Sequence, residues 1–310
     1  MKASDKQRMI LHGLMIFILI FSISMQHKIS SSSFWKRIVV TKNIPPKLTT
    51  HMVTQKQNSI QNRLSHYIKQ QTKGGTTSIA FYNLSPIRGS HAAKSKYSPI
   101  YSSGSLAVQS RGNSPMIAAS TYKLFISAYL FNQNKDNNFD WNNTNLDGFN
   151  RMIVYSENDF ADNELMNFGM PSVNAFINDN HWYAPVFTTN KDATTTANSL
   201  LNLLYKLKAH KKPFTNLTER KMLLTRMKKQ VYRTGIPTGA SKADKGSVTE
   251  DKVGFCGSVN NDAGIVTLPS GQRYILVIMT NASNQSGFSG FPRIAKITRK
   301  MQSIAYSSVH

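Results

Sequence analysis

The apolar pattern of this chain changes period twice, and that order limits the folds open to it. Ile60, Leu64, Tyr67 and Ile68 recur at helical spacing, and Gly74-Gly75 closes the stretch. β-Branched and aromatic residues from Thr76 to Leu84 read as a strand. A loop with Pro, Gly and Ser covers residues 85–105, and Leu106 to Val108 reads as a short second strand. The middle is helical: Ser120 to Phe131, Leu146 to Tyr155, Asp159 to Phe168 (closed by Gly169 and Pro171) and Thr194 to Lys208. A further helix, capped near Asn216, runs to about Tyr232. Strands return at Lys252 to Cys256, Gly264 to Leu268 and Tyr274 to Thr280. Ile294, Ile297, Met301 and Ile304 then stripe a last helix. Helix and strand, then helices, then strands and helix is an α+β order. It predicts an antiparallel β-sheet flanked by helices and shared by the two ends of the domain. An all-helical subdomain lies between those ends. The single cysteine, Cys256, forms no intramolecular disulfide, so the fold stands on its core alone.

Ser120 and Lys123 open the first helix of the middle section. Three residues apart on a helix, they share one face one turn apart. A hydroxyl needs a neighbouring base to act as a nucleophile, and a lysine serves if burial or a nearby cation drives it toward the free amine. Two later clusters supply partners: Ser156-Glu157-Asn158 after a helical stretch, and Lys252-Val253-Gly254 opening a strand. No His pair or Cys cluster has metal-ligand spacing, so neither a metal nor a cofactor is expected.

Ser-x-x-Lys, Ser-x-Asn and Lys-x-Gly in this order resemble the motifs of class A β-lactamases and penicillin-binding proteins. The resemblance spans about residues 60 to 300, through Ala118 to Phe125, Ser156 to Leu165, Asp192 to Ala197, Thr234 to Gly239 and Asn261 to Val266. It implies a β-lactamase/transpeptidase-like fold with the site in the groove between its two parts. It also implies an acyl-enzyme on Ser120, formed with β-lactams or peptidoglycan-like amides. Lys123 would be the base, Asn158 would orient it, and Ser156, held by Lys252, would pass a proton to the departing nitrogen. The N–H groups of Ser120 and Phe255 would bind the oxyanion, and Gly254 would leave room for substrate. Val253 replaces a family Thr that helps to bind the substrate carboxylate, and Glu157 replaces an Asp. The family's Glu-x-x-Leu-Asn motif, whose Glu activates the deacylating water, is missing between Asn158 and Thr194. Slow deacylation follows, with Asp159, Asp179 and Asp192 as substitutes only by position.

Lys2, Lys6 and Arg8 precede a nearly continuous apolar run from Met9 to Met25. Residues 1–25 therefore read as a signal peptide or membrane anchor, and the domain as exported. Residues 26–58 read as a polar linker, and residues 59–310 as the hydrolase domain. The sheet subdomain takes 59–119 and 237–310, and the helical subdomain takes 120–236. Lys and Arg total 38 against 15 acids, a formal charge of +23. For an exported chain that excess points to anionic cell-wall polymers or a membrane surface, not to nucleic acid. A monomer acting on a small-molecule or peptide substrate is expected. The alternative is a catalytically decayed domain that binds anionic envelope polymers.

Overall fold

The computed structural model describes residues 48–307. Residues 1–25, read as a signal peptide or membrane anchor, and residues 26–47, read as linker, lie outside the described residues. Residues 50–58 are not linker but the opening turns of α1, Thr50–Thr72. Thr49 caps this helix by accepting from the Met52 N–H at 3.2 Å, and Ile60, Leu64 and Ile68 form its buried stripe. Among the described residues no helix is long and apolar enough to cross a membrane.

Five strands form one antiparallel sheet: β1 Thr77–Leu84, β2 Val108–Ser110, β3 Val248–Cys256, β4 Val259–Thr267 and β5 Arg273–Asn281. Their order is β2-β1-β5-β4-β3, so the N-terminal strand pairs with the last strand and closes the domain on itself. Period-2 alternation gives the sheet two apolar faces. Ala80, Ala263, Ile265, Ile275 and Val277 pack toward the helical middle of the chain. Ile79, Phe81, Val253, Leu276 and Ile278 pack toward α1 and the C-terminal helix. This is the α+β arrangement that the periodicity predicts.

The helical part is built around α2, Lys123–Lys135, which is buried from Lys123 through Phe131. Around it lie α3 Asn143–Asn150, α4 Asp159–Phe168, α5 Met170–Asp179, α6 Ala197–Lys208 and α7 Leu217–Lys228. The helices α8 Ile236–Ala243 and α9 Phe291–Tyr306 cover the other face of the sheet.

Three local differences from the sequence reading have physical causes. Pro171 does not end the helical section. It stands in the first turn of α5, where its missing N–H costs nothing. Residues 236–243, which the periodicity leaves without an element, form α8, and Pro237 stands in its first turn in the same way. Gly239 then lets α8 lie directly on α9, since a Cβ there would overlap the Ala295 carbonyl. Finally, the helix read as Leu146 to Tyr155 changes to a wider π turn at Arg151–Tyr155, which redirects the chain just before Ser156.

Candidate active site

Ser120 lies in a 3₁₀ turn, Ala119–Tyr122, that runs straight into α2. Ala119 has φ of 42°, a left-handed value that costs an L-residue about 1 kcal/mol or more. The surroundings hold the turn in place. Asn261 Nδ2, on β4, donates to the carbonyls of Ile117 and Ala118, both at 2.9 Å. The Ala118 N–H donates to Ala193 O at 2.7 Å, and Thr121 Oγ1 donates to Ala118 O at 2.6 Å. β3 presses against the same turn. A Cβ on Gly254 would stand 2.8 Å from Ala118 O, 2.9 Å from Thr121 N and 3.0 Å from Ser120 N. Only glycine permits that approach, so the space at Gly254 is taken by the nucleophile turn rather than by the substrate for which the sequence reading reserves it.

Lys123 is fully buried. Its Nζ lies 3.1 Å from Ser120 Oγ, 2.6 Å from Ser156 O and 2.6 Å from Asn158 Oδ1. A neutral amine has two N–H bonds and one lone pair. The carbonyl oxygens of Ser156 and Asn158 take both N–H bonds, which leaves the lone pair to accept from the Ser120 hydroxyl. Burial lowers the Lys123 pKa to about 8, against the pull of Asp162, Asp159 and Glu157. The sequence reading allows a nearby cation a share in this lowering, and Lys252 is the cation its motifs bring there. The causes that act on Lys123 are instead burial and those three acids. At Lys252 burial also leads, and the charge of Lys123 adds to it.

Ser156 has φ of 66° at the end of the π turn, and this conformation points its carbonyl and its hydroxyl at different amines. Its carbonyl meets Lys123, while its Oγ lies 2.6 Å from Lys252 Nζ. Lys252 Nζ also donates to Val253 O at 3.0 Å. Glu157 fits the motif by turning outward, where Arg151 Nη1 pairs with it at 2.7 Å and with Asp159 at 2.6 Å. That pairing holds the Asp159 carboxyl below its usual range.

Ser120, Lys123, Ser156, Asn158 and Lys252 thus converge in one hydrogen-bonded chain, with Gly254 against the nucleophile turn. Val253 does not join them. Lys252 and Gly254 face the turn, so strand alternation sends Val253 to the opposite face, into the core with Ile236, Ala240 and Phe291. The Phe255 side chain follows Val253 onto that face and meets Phe288 and Tyr232 with ring centroids 4.5 and 5.1 Å away.

Several supporting residues escaped the sequence reading. Asp251 and Asp262 are buried on the α8 side of the sheet, next to Lys252 in the chain and in register with Val253. Arg233 pairs with Asp251 at 2.5 Å, and the Ile236 N–H donates to Asp262 at 2.7 Å. Burial pushes the Asp262 carboxyl up to about 7. Only the residue types hinted at these roles, because each partner lies far along the chain.

The segment between α5 and Thr194 also reaches the site. Ala193 holds Ala118, and the Phe187 ring meets the Tyr122 ring edge-on at 5.5 Å. Asn174 clasps the segment by accepting from the Val186 and Phe187 N–H groups at 3.0 and 3.1 Å. The one carboxylate of residues 180–193, Asp192, is exposed, and the wall offers buried apolar side chains such as Val186 and Phe187.

The family model described as the beta-lactamase enzyme family matches residues 142–309, which contain Ser156, Asn158 and Lys252. Among solved structures, PBP-A superposes with a TM-score of 0.60 at 20% identity, over 80% of this chain and 95% of that one. A mutant of PBP-A, solved as an acyl-enzyme complex with penicillin G, gives 0.58 at 22% identity over 86% and 98%. A β-lactamase from Sphaerobacter thermophilus gives 0.61 at 14% identity over 78% and 95%. At these identities the likeness is one of fold. No curated protein matches the chain in sequence.

The close approach of β3 generates a test. Gly254→Ala places a methyl group against backbone atoms that have no room to yield, so the domain should lose about 1–3 kcal/mol of stability. That corresponds to a fall in Tm of roughly 2–12 °C for a domain of this size. An unchanged melting curve would mean that β3 and the nucleophile turn are not packed this tightly.

Proposed function

Because the chain belongs to the beta-lactamase enzyme family, we propose that it is a serine acyl hydrolase that forms an acyl-enzyme on Ser120 with β-lactams or peptidoglycan-like amides. The observation that carries this reading is the buried Lys123 amine, with two acceptors on its N–H bonds and the Ser120 hydroxyl 3.1 Å away. The penicillin G acyl-enzyme of the PBP-A mutant supports the choice of substrate class.

The steps follow from the geometry. Lys123 takes the Ser120 proton as Oγ bonds to the substrate carbonyl carbon and the C=O electron pair moves to oxygen. The N–H groups of Ser120 and Phe255 receive that oxyanion, a role worth about 3 kcal/mol per donor. On collapse the C–N bond breaks. The departing nitrogen takes the Ser156 hydroxyl proton, which a Lys252 ammonium replaces through their 2.6 Å contact; Lys252 is left one proton short, equal to the proton that Lys123 has gained. Water must then cleave the ester. Residues 180–193 carry one carboxylate, Asp192, and it is exposed; with no buried base there to activate water, the acyl-enzyme is long-lived and the behaviour is penicillin-binding rather than rapidly hydrolytic.

We further propose that the protein is exported and that its basic surface holds it to anionic wall polymers or an anionic membrane surface. One corner concentrates the charge. Lys208 pairs with Glu250 at 2.8 Å, and the same carboxylate also acts on Arg220 and Arg273. Lys211 lowers the Lys206 pKa, after burial. One acid therefore faces several cations.

Three outcomes test these readings. Intact-mass analysis after incubation with a penicillin should show a persistent adduct on the wild-type domain and none on Ser120→Ala or Lys123→Ala, with circular dichroism unchanged. Equal adducts on all three proteins would exclude Ser120 as the nucleophile. The acylation rate should rise about tenfold per pH unit and level off above pH 8, because only the free amine accepts the proton. A flat profile from pH 6 to 9 would remove Lys123 from the base role. Retention on a wall polyanion should fall steeply between about 0.05 and 0.5 M salt as the Debye length shrinks. Salt-independent retention would refute the electrostatic partner.

A further inference from the structure

The acids of this chain are not spread evenly. Residues 136–190 hold eight of its 15 acids and one Lys or Arg, Arg151, although the whole chain carries +23. Arg151 is already paired with Asp147, Glu157 and Asp159. Two other acids of this stretch, Asp140 and Glu164, line a surface pocket of about 490 Å³. None of the residues placed in the acyl-serine site lines it. Asn158 opens α4 at that site, whereas Asn167 and Phe168 end α4 at the pocket.

Glu164 is the anomaly. It is 8% exposed, and among the described residues its carboxylate has no hydrogen-bond or ion-pair partner. Burial pushes its pKa up, because the charged form gives up water and gains no donor. Glu219 shows the alternative. It is buried too, but it accepts from Trp141 Nε1 at 2.7 Å and from Asn134 Nδ2 at 2.9 Å. A buried carboxylate that lines a pocket and has no partner marks a place for a cation.

The rest of the lining offers oxygen. Asn145 gives its amide N–H to Asp140 O at 2.7 Å, and Asn138 gives its own to Gln133 Oε1 at 3.2 Å. Their Oδ1 atoms stay available as acceptors, and Asn137 and Asn167 add two more side-chain amides. The pocket also lies where two helices end: Asn137 and Asn138 follow α2, and Asn167 and Phe168 finish α4. The negative ends of both helix dipoles favour a cation there. Among the described residues no His, Cys, Lys or Arg lines the pocket. That excludes the nitrogen and sulfur donors of a zinc or copper site, and it is why the spacing of His and Cys gave no sign of it. Carboxylates among amide oxygens suit calcium, which tolerates irregular coordination, better than magnesium, which demands a near-ideal octahedron.

We propose that Glu164 and Asp140, with the side-chain oxygens of Asn137, Asn138, Asn145 and Asn167, hold a calcium ion that pins the loop between α2 and α3 to the end of α4. The proposal does not depend on the acyl-serine reading. Full-length protein is stripped with EGTA, and its melting curve is followed as calcium is added back. Calcium at about a hundredfold its Kd should raise Tm by roughly 5–10 °C. Glu164→Gln should abolish that rise. In EGTA its Tm should match or exceed that of the wild type, because an unpaired carboxylate is gone. Asp140 is exposed, so Asp140→Asn should leave the Tm in EGTA unchanged. It should weaken calcium binding about tenfold or more, through the lost ligand charge. Terbium(III), a luminescent stand-in for calcium, should emit on excitation of Trp141, the residue after Asp140. Calcium should displace it and remove the emission, and Glu164→Gln should show none. Equal Tm gains from calcium and magnesium would mean general screening and overturn the site. So would no gain with calcium, a gain that survives either substitution in full, or terbium emission that calcium does not remove. If Glu164→Gln fails to fold, Asp140→Asn and the terbium competition decide alone.

Discussion

Burying one amine organises this molecule. The Lys123 Nζ has no access to water, and a charged ammonium would pay a large desolvation penalty there. Two carbonyl-type oxygens, Ser156 O and Asn158 Oδ1, offset part of that penalty, and the lowered pKa offsets more. The contacts that make burial tolerable are also those that fix the direction of the lone pair. Local stability and the capacity to take a proton from Ser120 therefore rest on the same three hydrogen-bonding neighbours. The left-handed backbone of Ser156 belongs to this arrangement, because it lets one residue meet Lys123 with its carbonyl and Lys252 with its hydroxyl.

The sheet contributes by close approach rather than by charge. β4 reaches the nucleophile turn through Asn261, and β3 reaches it through the missing side chain of Gly254. The strained Ala119 persists because these contacts and the Ala193 carbonyl over-determine the turn. Lys252 stands on the same strand as Gly254, so the register of β3 sets the nucleophile turn and the second amine together. A one-residue slip would exchange both for Val253 and its neighbours on the other face.

This dependence explains which parts of the site are legible in the sequence. Ser120, Lys123, Ser156, Asn158 and Lys252 carry chemistry in their residue types, and their order was enough to group them. Val253 was grouped with them through family likeness, yet strand alternation alone sends it to the opposite face from Lys252. The sheet and most helices follow from periodicity, because each buries a regular stripe. Two of the helices that were missed, Met170–Asp179 and Ile236–Ala243, carry in their first turn a proline that also reads as a stop. Arg151 gathers Asp147, Glu157 and Asp159 across the π turn, and no local pattern announces that turn. The pairing of Arg233 with Asp251 and the meeting of Tyr232, Phe255 and Phe288 are tertiary facts, invisible to any window of sequence.

The walls of the site bear on its chemistry as much as the polar groups do. On one side Val186 and Phe187 are buried, held by Asn174, with the Phe187 ring against Tyr122. Tyr232, Phe255 and Phe288 meet instead over Phe291, on the face of β3 opposite Lys252 and Gly254. Burial depresses both lysine pKa values, and at Lys123 this favours the free amine needed for attack. The same burial works against the second half of a hydrolase cycle, which needs a positioned water and a base to activate it. In the proposed mechanism these two effects have a single cause, so acylation and deacylation cannot be tuned independently by burial. Adding one carboxylate to the 180–191 segment would supply a base for water. It would also place a new negative charge near a buried amine, raise the pKa of that amine and slow the attack that precedes hydrolysis.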